Sequence, residues 1–291
     1  MPESPLAQTD AELLADALLD AVEEDLQLPE RDKSSPPESM TIVGLVFRRV
    51  GSDFARRYHR LEIQAEQSTL DSPVLFVANH GFGGIFDLNV FAICAALEQL
   101  EVDRPVTVLA HQMTWTLGLG LVAEQLGARP ASRESAREAF EAGHHVVVLP
   151  GGDLDAFKSW EDRNRIVFGG RSGFARLAME HDVAIVPIVT AGAGDSLLVL
   201  SSGQRLARAL KLDKTLRLKA LPVSVSLPWG LSIGAVGLLP YLPLPTKLTT
   251  RVLPAMAPVD DETPDDYAAR IQAEMQHALT EMTRTRRPLL G

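Results

Sequence analysis

The chain has 291 residues, of which 46% are hydrophobic, so it is long enough to bury a large core in one α/β domain with appendages. Its single cysteine, Cys94, excludes an intrachain disulfide. Most of the net charge of −10 lies in residues 1–39, which hold eleven acidic and two basic side chains. The remainder is close to neutral, so a general basic excess gives no support to nucleic-acid binding.

The first residues lack a basic start followed by a continuous apolar core, so we expect no secretory signal and a cytoplasmic protein. Residues 1–39 are predicted to form an acidic helical arm and a linker, with an amphipathic helix over residues 9–27. Anionic lipid repels an acidic helix, so a partner or self-docking suits this arm better than a membrane. We predict that residues 40–291 form the functional domain.

Residues 40–62 begin with an apolar run, Thr41 to Phe47, and continue into an arginine cluster. The arginines of this cluster are Arg48, Arg49, Arg56, Arg57 and Arg60. Such a segment suits a helix at an anionic membrane surface, where each basic residue adds about 1 kcal/mol. A solvated basic helix beside the acidic arm fits the same pattern, and both interpretations stay open.

A histidine follows the next apolar segment. Residues 74–78 have the composition of a buried strand, Asn79 and His80 follow, and the glycines at 81, 83 and 84 form a turn. Asp87 then opens a segment with helical spacing, which ends near Leu100. Ligands and chemistry gather at the carboxyl ends of strands in α/β sheets. Asp87 is placed either to orient the imidazole of His80 or simply to cap the helix.

The remaining elements alternate between strands and helices. We predict strands over 106–110, 145–150 and 183–189, and helices over 115–126, 132–142, 172–181 and 263–282. The strand over 145–150 leads into a second glycine turn, Gly151-Gly152. Nearly all-apolar strands that alternate with helices predict an α/β fold with a largely parallel central sheet flanked by helices.

Residues 220–246 contain no charge, five prolines and several glycines. The prolines would leave backbone groups unsatisfied in hydrocarbon, which excludes a transmembrane helix. We predict short core strands with loops that line an apolar acyl-chain groove. The alternative is a segment that dips into the membrane interface, for which Trp229 and Tyr241 are suited.

Four blocks in this order resemble the glycerolipid acyltransferase superfamily, over about residues 70 to 255. The blocks are Asn79-His80 with Asp87, Gly127-x5-Arg133, Leu149-Pro150-Gly151-Gly152, and Val186-Pro187-Ile188-Val189. The usual His-x4-Asp of the superfamily is here His-x6-Asp, so Asp87 as the partner is an inference. Pro150-Gly151-Gly152-Asp153 replaces the common Phe-Pro-Glu-Gly-Thr-Arg, and this variant looks like the branch of diacylglycerol acyltransferases and phytyl ester synthases.

The resemblance implies an O-acyltransferase that moves a fatty acyl chain from acyl-coenzyme A to the hydroxyl of a neutral lipid: diacylglycerol, monoacylglycerol or a long-chain alcohol. His80 would be the general base and Asp87 would hold its ring. Arg133 and Arg171 would bind coenzyme phosphates or an acceptor headgroup, or form surface ion pairs. The other substrate-binding residues predicted are Asn79, Gly83, Gly84, Pro150, Gly151 and Gly152. We expect no metal and no cofactor, with acyl-coenzyme A as co-substrate, at the inner face of the membrane.

Other functions remain to be weighed. A lysophosphatidate or lysophospholipid acyltransferase is the first alternative, and a non-catalytic lipid-binding module is the second. A serine hydrolase would need Gly-x-Ser-x-Gly, which does not occur in the sequence. A metal hydrolase would need paired histidine or cysteine ligands, and the sequence has no such spacing.

Overall fold

The computed structural model describes residues 42–66, 70–82, 87–110, 123–124, 127–212, 219–234 and 241–291, with the side chains of residues 42, 43, 45 and 47 left out. The predicted arm over 1–39 and most of the helix predicted over 115–126 lie outside the described residues. The described helices are α1 (Ile42–Arg57), α2 (Leu88–Gln99), α3 (Arg133–Glu141), α4 (Gly152–Ala156), α5 (Gly173–Glu180), α6 (Gln204–Ala209) and α7 (Pro264–Thr283).

The described strands are β1 (Glu62–Ala65), β2 (Leu75–Ala78), β3 (Val106–Ala110), β4 (Ala128–Pro130), β5 (His145–Val148), β6 (Ile185–Ala191), β7 (Leu198–Ser201), β8 (Val223–Ser226), β9 (Gly230–Ile233) and β10 (Thr249–Val252). Seven of them form a central sheet in the order β1, β10, β6, β2, β5, β3, β4. From β6 to β4 all neighbours are parallel, whereas β10 is antiparallel to β6 and pairs in parallel with β1. The predicted largely parallel α/β sheet is therefore confirmed.

The two faces of the sheet carry different helices. Phe76, Val147 and Ile188 point to the face that α2 covers with Ile93 and Leu97. Their strand neighbours point to the opposite face, which α3, α5 and α7 cover. Because both faces are covered, every residue of β2 and β6 is buried, as expected for central parallel strands. This burial holds the carboxyl end of β2, and the residues after it, in a rigid frame.

Local signals in the sequence define the helix ends. The Ser132 hydroxyl accepts a hydrogen bond from the Ser135 N–H at 3.0 Å, and Thr263 caps α7 through the Asp266 N–H at 3.2 Å. Gly143 follows α3 with φ +78°, the left-handed conformation that ends a helix. The starts of α3 and α7 and the end of α3 agree with the sequence predictions. No helix among the described residues is long and apolar enough to cross a membrane.

The segment 220–246 differs from its predicted core position. Its strands β8 and β9 join β7 in a separate three-stranded antiparallel sheet. Leu227, Leu231 and Ile233 are each more than half exposed, so these strands are not part of the core. Residues 235–240 lie outside the described part of the chain, and residues 241–243 return to the main body. The composition predicted the strands. Their exposure depends on which face of the small sheet the rest of the chain leaves uncovered.

We expect stability to fall as the pH decreases from 6.5 to about 4, because of His59. Its ring is fully buried and Nδ1 donates to the Thr246 carbonyl oxygen at 3.1 Å. Burial lowers the pKa of His59 from 6.5 to about 4. In this pH range the unfolded chain binds a proton that the folded chain does not, so acid favours unfolding. His59→Gln, which keeps an N–H for Thr246, should reduce this pH dependence in denaturant titrations.

The matched control is His277→Gln, because His277 is exposed on α7 and makes a surface contact with Glu281. This control should keep the pH dependence of the wild-type protein. Equal pH dependence in the wild-type and His59→Gln proteins would contradict the assignment to His59.

Candidate active site

His80 and Asp87 meet where β2 ends and α2 begins. His80 Nδ1 donates to Asp87 Oδ2 at 2.7 Å, and Asp87 Oδ1 accepts from the Asn89 N–H at 2.9 Å. One carboxylate therefore caps the helix and holds the imidazole at the same time. Both roles that the sequence left open for Asp87 are present in the structure.

The contact with Asp87 fixes the chemistry of the His80 ring. A carboxylate can only accept, so Nδ1 carries a proton, and in the neutral tautomer of the ring Nε2 holds the lone pair. The side chain of His80 is 19% exposed and that of Asp87 is 7% exposed. Within the described residues, His80 Nε2 makes no hydrogen bond. The ring can accept a proton from a hydroxyl at Nε2, while Asp87 stabilises the positive charge that results.

Asn79 joins the strand ends together. Its amide oxygen accepts from the Thr190 N–H at 2.9 Å and its Nδ2 donates to the Thr190 carbonyl at 3.1 Å. Its own carbonyl accepts from Asn89 Nδ2 at 2.6 Å. These bonds tie β2 to β6 and to the start of α2. The substrate contact predicted for Asn79 stays a prediction, and the amide has a clear structural task.

A buried ion pair, which the sequence reasoning missed, holds the main chain of His80. Asp155 Oδ2 accepts from the His80 N–H at 2.7 Å, and Asp155 Oδ1 accepts from Lys158 Nζ at 2.8 Å. Lys158 Nζ also donates to the His80 carbonyl at 3.3 Å. The side chains of the pair are 0% and 5% exposed. The i, i+3 spacing of an acid and a lysine after the glycine turn was a weak signal, because such pairs are common on helix surfaces.

The glycine turn of residues 150–152 is packed against this ion pair. A Cβ at Gly151 would overlap Asp155 Cβ and lie 2.6 Å from the Val167 carbonyl oxygen, so only glycine fits. Gly152 has φ +51°, which also favours glycine. Together with Pro150, these residues form the turn between β5 and α4, next to the residue that holds His80.

Arg171 braces the same turn. Its guanidinium donates to the Pro150 carbonyl at 2.9 Å and to the Gly151 carbonyl, and it pairs with Asp153 at 3.2 Å. The predicted phosphate contact by Arg171 stays a prediction, since most of its donors already bond within the protein. The structure brings Arg171 to the turn, beside the site.

Arg133 lies elsewhere. It is the first residue of α3, its side chain is 71% exposed, and it approaches Glu180 at 3.9 Å. None of its described contacts links it to His80 or Asp87. This geometry corresponds to the surface ion pair that the sequence left as an alternative, and the phosphate contact of Arg133 stays a prediction.

Part of the glycine loop after His80 lies outside the described residues, including Gly83 and Gly84. Gly81 is described, and a Cβ there would overlap Ala193 Cβ and lie 2.9 Å from Asn89 Oδ1. The main chain after His80 is therefore packed closely against its neighbours, with no room for a side chain at Gly81.

An apolar pocket of about 340 Å³ lies between α1, α2 and residues 241–243. It is lined by Val50, Gly51 and Phe54 of α1, by Leu88 and Phe91 of α2, and by Tyr241, Leu242 and Pro243. Leu88 directly follows Asp87 in the chain, so the wall of the pocket and the base share the start of α2. The pocket is of the size at which proteins begin to hold small ligands.

Tyr241 connects the pocket to the site. Its ring packs edge-on against Phe82, with centroids 5.8 Å apart, and Phe82 lies two residues after His80. Burial raises the pKa of Tyr241, and the nearby Asp87 charge raises it further. Its hydroxyl therefore stays protonated at neutral pH. The sequence singled out Tyr241 only for a membrane contact, and its proximity to Asp87 depends on the tertiary structure.

Comparisons with known proteins identify several relatives of this chain. A bovine protein named "DGAT1/2-independent enzyme synthesizing storage lipids" is 26% identical over 234 residues, which is 80% of this chain and 67% of the relative. The chicken protein of that name is 27% identical over 58% of this chain and 48% of its own. An uncharacterized Mycobacterium bovis protein is 28% identical over 67% of this chain and 51% of its own. This chain thus spans about half the length of the chicken and mycobacterial relatives.

The fold also matches a solved structure. The 1-acyl-sn-glycerophosphate (LPA) acyltransferase PlsC from Thermotoga maritima aligns over 94% of both chains with a TM-score of 0.52 and 13% identity, which shows a shared fold. A family model described as Acyltransferase matches residues 43–191, half of this sequence, and that span contains His80, Asp87 and the glycine turn. The chain therefore belongs to the Acyltransferase family.

Proposed function

We propose that the chain transfers a fatty acyl group from acyl-coenzyme A to the hydroxyl of a lipid acceptor, with His80 as general base. The observation that carries this proposal is the 2.7 Å bond from His80 Nδ1 to Asp87 Oδ2, beside an apolar pocket. The bond leaves Nε2 as the proton acceptor. Membership of the Acyltransferase family supports acyl transfer as the reaction.

The reaction needs no covalent enzyme intermediate. Nε2 of His80 removes the hydroxyl proton of the acceptor while the oxygen attacks the thioester carbonyl. The tetrahedral intermediate then collapses, the carbon–sulfur bond breaks, and the coenzyme thiolate takes the proton back from the imidazolium. Asp87 stabilises the imidazolium between these two steps.

The negative oxygen of the intermediate needs hydrogen-bond donors. The Gly152 N–H already donates to the Leu149 carbonyl at 3.2 Å, so it is not free for this task. We assign the oxyanion to the N–H of Gly151 and to the main chain that follows His80. Arg171 supports this assignment indirectly, because it holds the carbonyls of the turn and thereby orients its N–H groups.

We favour a neutral acceptor. The engagement of Arg171 with residues 150, 151 and 153 leaves few donors for a phosphate headgroup. The names of the bovine and chicken relatives refer to storage lipids, which are neutral. Lysophosphatidate is the alternative acceptor, suggested by the printed activity of the Thermotoga maritima protein. We place the reaction at the cytoplasmic face of a membrane, where the neutral lipid and lysophosphatidate are both found.

We assign the acyl chain to the apolar pocket between α1, α2 and residues 241–243. Its lining is apolar, and one of the lining residues, Leu88, directly follows the carboxylate that holds the base. In this proposal the thioester lies at the end of the acyl chain nearest Leu88. Close packing of the two helices, where a Cβ at Gly51 would overlap the Phe91 ring, fixes the width of the pocket.

Replacement of His80 by Ala should lower kcat by about a hundredfold or more, because a positioned general base contributes this much. Asp87→Asn keeps a helix cap but weakens the hold on the imidazole, so we expect a loss of roughly tenfold or more. The assay measures label transfer from acyl-coenzyme A to diacylglycerol, monoacylglycerol, long-chain alcohol and lysophosphatidate.

The control for this pair is His277→Ala, a change on the exposed side of α7 that should keep full activity. Transfer by His80→Ala at the wild-type rate would refute the base. Transfer to lysophosphatidate alone would refute the neutral acceptor, and no transfer to any hydroxyl acceptor would favour a non-catalytic lipid-binding module.

The Asp155–Lys158 ion pair should affect turnover more than substrate binding, because it holds the main chain of His80. Loss of one partner would leave a buried charge unpaired, so the test is the double variant Asp155→Asn/Lys158→Met. We expect kcat to fall about tenfold or more with little change in KM for acyl-coenzyme A.

A second ion pair provides the control for this double variant. Glu262 and Arg270 are 2.7 Å apart near the start of α7 and have no described contact with His80. Glu262→Gln/Arg270→Met should lower the thermal midpoint but keep kcat. An unchanged kcat in the Asp155/Lys158 variant would show that the pair has a structural role only.

Substitution of Val50 by Trp should shift the preference of the enzyme toward shorter acyl chains, because the ring would fill part of the pocket that Val50 lines. The ratio of kcat/KM for palmitoyl- over octanoyl-coenzyme A should fall by about tenfold or more, the contact of at least one methylene. Val46→Trp is the control, one turn earlier on α1, exposed and not in the pocket lining. An equal shift in both variants would contradict the assignment of the pocket.

A further inference from the structure

The small antiparallel sheet has an unusual distribution of side chains between its two faces. Its inner face is made by Val199, Ser224 and Ser226, all of which are buried. The residues between them point outward, and the outward set is Leu198, Leu200, Val225, Leu227, Leu231 and Ile233, which are 37% to 67% exposed. Sheets with one solvated face normally place polar residues outside. Here the outer face is aliphatic.

The register of the strands makes this outer face continuous. Leu198 lies opposite Val225 on β8, and Val225 lies opposite Leu231 on β9. Cross-strand neighbours of this kind touch, so they form an apolar row across all three strands. Trp229, in the turn between β8 and β9, is 48% exposed beside this row. A contiguous exposed apolar face of this kind indicates a contact surface.

The stretch of sequence that carries the sheet is basic, although the whole chain is acidic. Residues 196–250 contain seven basic side chains and a single acidic one, Asp213. Arg205 and Arg208 are exposed on α6, the helix that follows β7. Basic side chains beside an apolar surface complement an anionic lipid headgroup layer, and each one adds about 1 kcal/mol near such a surface. The same charges would repel a second copy of this face.

The apolar face reaches the pocket. The Leu242 N–H donates to the Leu227 carbonyl at 2.9 Å, and Leu242 is also part of the pocket lining. Val50, on the other side of the pocket, is 62% exposed. Leu242 and Val50 therefore line the same pocket, and Leu227, at the end of the outer face, is bonded directly to Leu242.

We propose that the outer face of the β7–β8–β9 sheet docks on an anionic lipid bilayer, with the basic residues of α6 at the headgroups and the pocket opening toward the lipid. The aliphatic row enters the interface, and Trp229 lies at the headgroup level, where tryptophan is enriched. This surface gives a water-insoluble acceptor a path to His80 without crossing water. This inference rests on the proposed function and deepens it. Docking is measured without turnover, so the docking proposal and the proposed function can fail independently.

The test is sedimentation of the full chain with vesicles of phosphatidylcholine, alone or mixed with phosphatidylglycerol. We expect the wild-type protein to bind the anionic vesicles, and Leu231→Asp/Ile233→Asp to weaken binding by about tenfold or more. The matched control is Val259→Asp/Leu290→Asp, which replaces two aliphatic residues of similar exposure outside the sheet. Arg205→Gln/Arg208→Gln should weaken binding to the anionic vesicles only.

A second measurement does not depend on variants of the sheet. In a Trp115→Phe/Trp160→Phe protein, which keeps Trp229, brominated phosphatidylglycerol vesicles should quench the fluorescence of Trp229. Absence of quenching, or equal vesicle binding by the wild-type and Leu231→Asp/Ile233→Asp proteins, would overturn the proposal. The proposal would also fail if the wild-type protein did not bind vesicles but formed a dimer that Leu231→Asp/Ile233→Asp disrupts. Turnover of dispersed octanoyl-coenzyme A and a short alcohol without vesicles reports on the His80 site alone.

Discussion

The carboxylate of Asp87 is the group on which the site depends. One of its oxygens satisfies the first turn of α2 and the other holds the His80 ring at 2.7 Å. Because the two bonds share one side chain, the orientation of the imidazole is tied to the position of a helix that covers a face of the sheet. The base is thus as rigid as the core. The main chain of His80 is fixed in the same way by Asp155 and Lys158, so both ends of the residue are held by buried charges.

The sequence alone could predict the parts of the site that are local. The end of an apolar strand located His80, and a capping residue at the start of a segment with helical spacing located Asp87. The departure from His-x4-Asp spacing does not separate the two groups, because strand and helix ends set their distance. Helix caps at Ser132 and Thr263 were predictable for the same reason, since each involves residues only three apart. The parallel sheet followed from the alternation of strands and helices.

The rest depends on contacts between distant residues. Asp155 accepts a hydrogen bond from a main-chain N–H that lies 75 residues earlier in the chain, and no local sequence pattern predicts such a bond. Arg171 looked like a phosphate ligand because arginine suits that task, yet its bonds go to carbonyls twenty-one and twenty residues away. The position of β8 and β9 is a third example. Alternating serine and aliphatic residues predict a strand, but which of its faces stays uncovered is decided by packing against the rest of the chain.

Net charge illustrates how a global quantity can mislead about a surface. With a charge of −10, the chain as a whole would be repelled by an anionic bilayer. Exposed charges are screened beyond a Debye length of about 8 Å at physiological salt, so only the side chains near the contact count. Eleven of the acids lie in residues 1–39, whereas the segment that carries the aliphatic sheet is almost free of them. Local charge and local apolarity therefore favour the same face, and the Leu227–Leu242 bond joins that face to the lining of the pocket that we assign to the acyl chain.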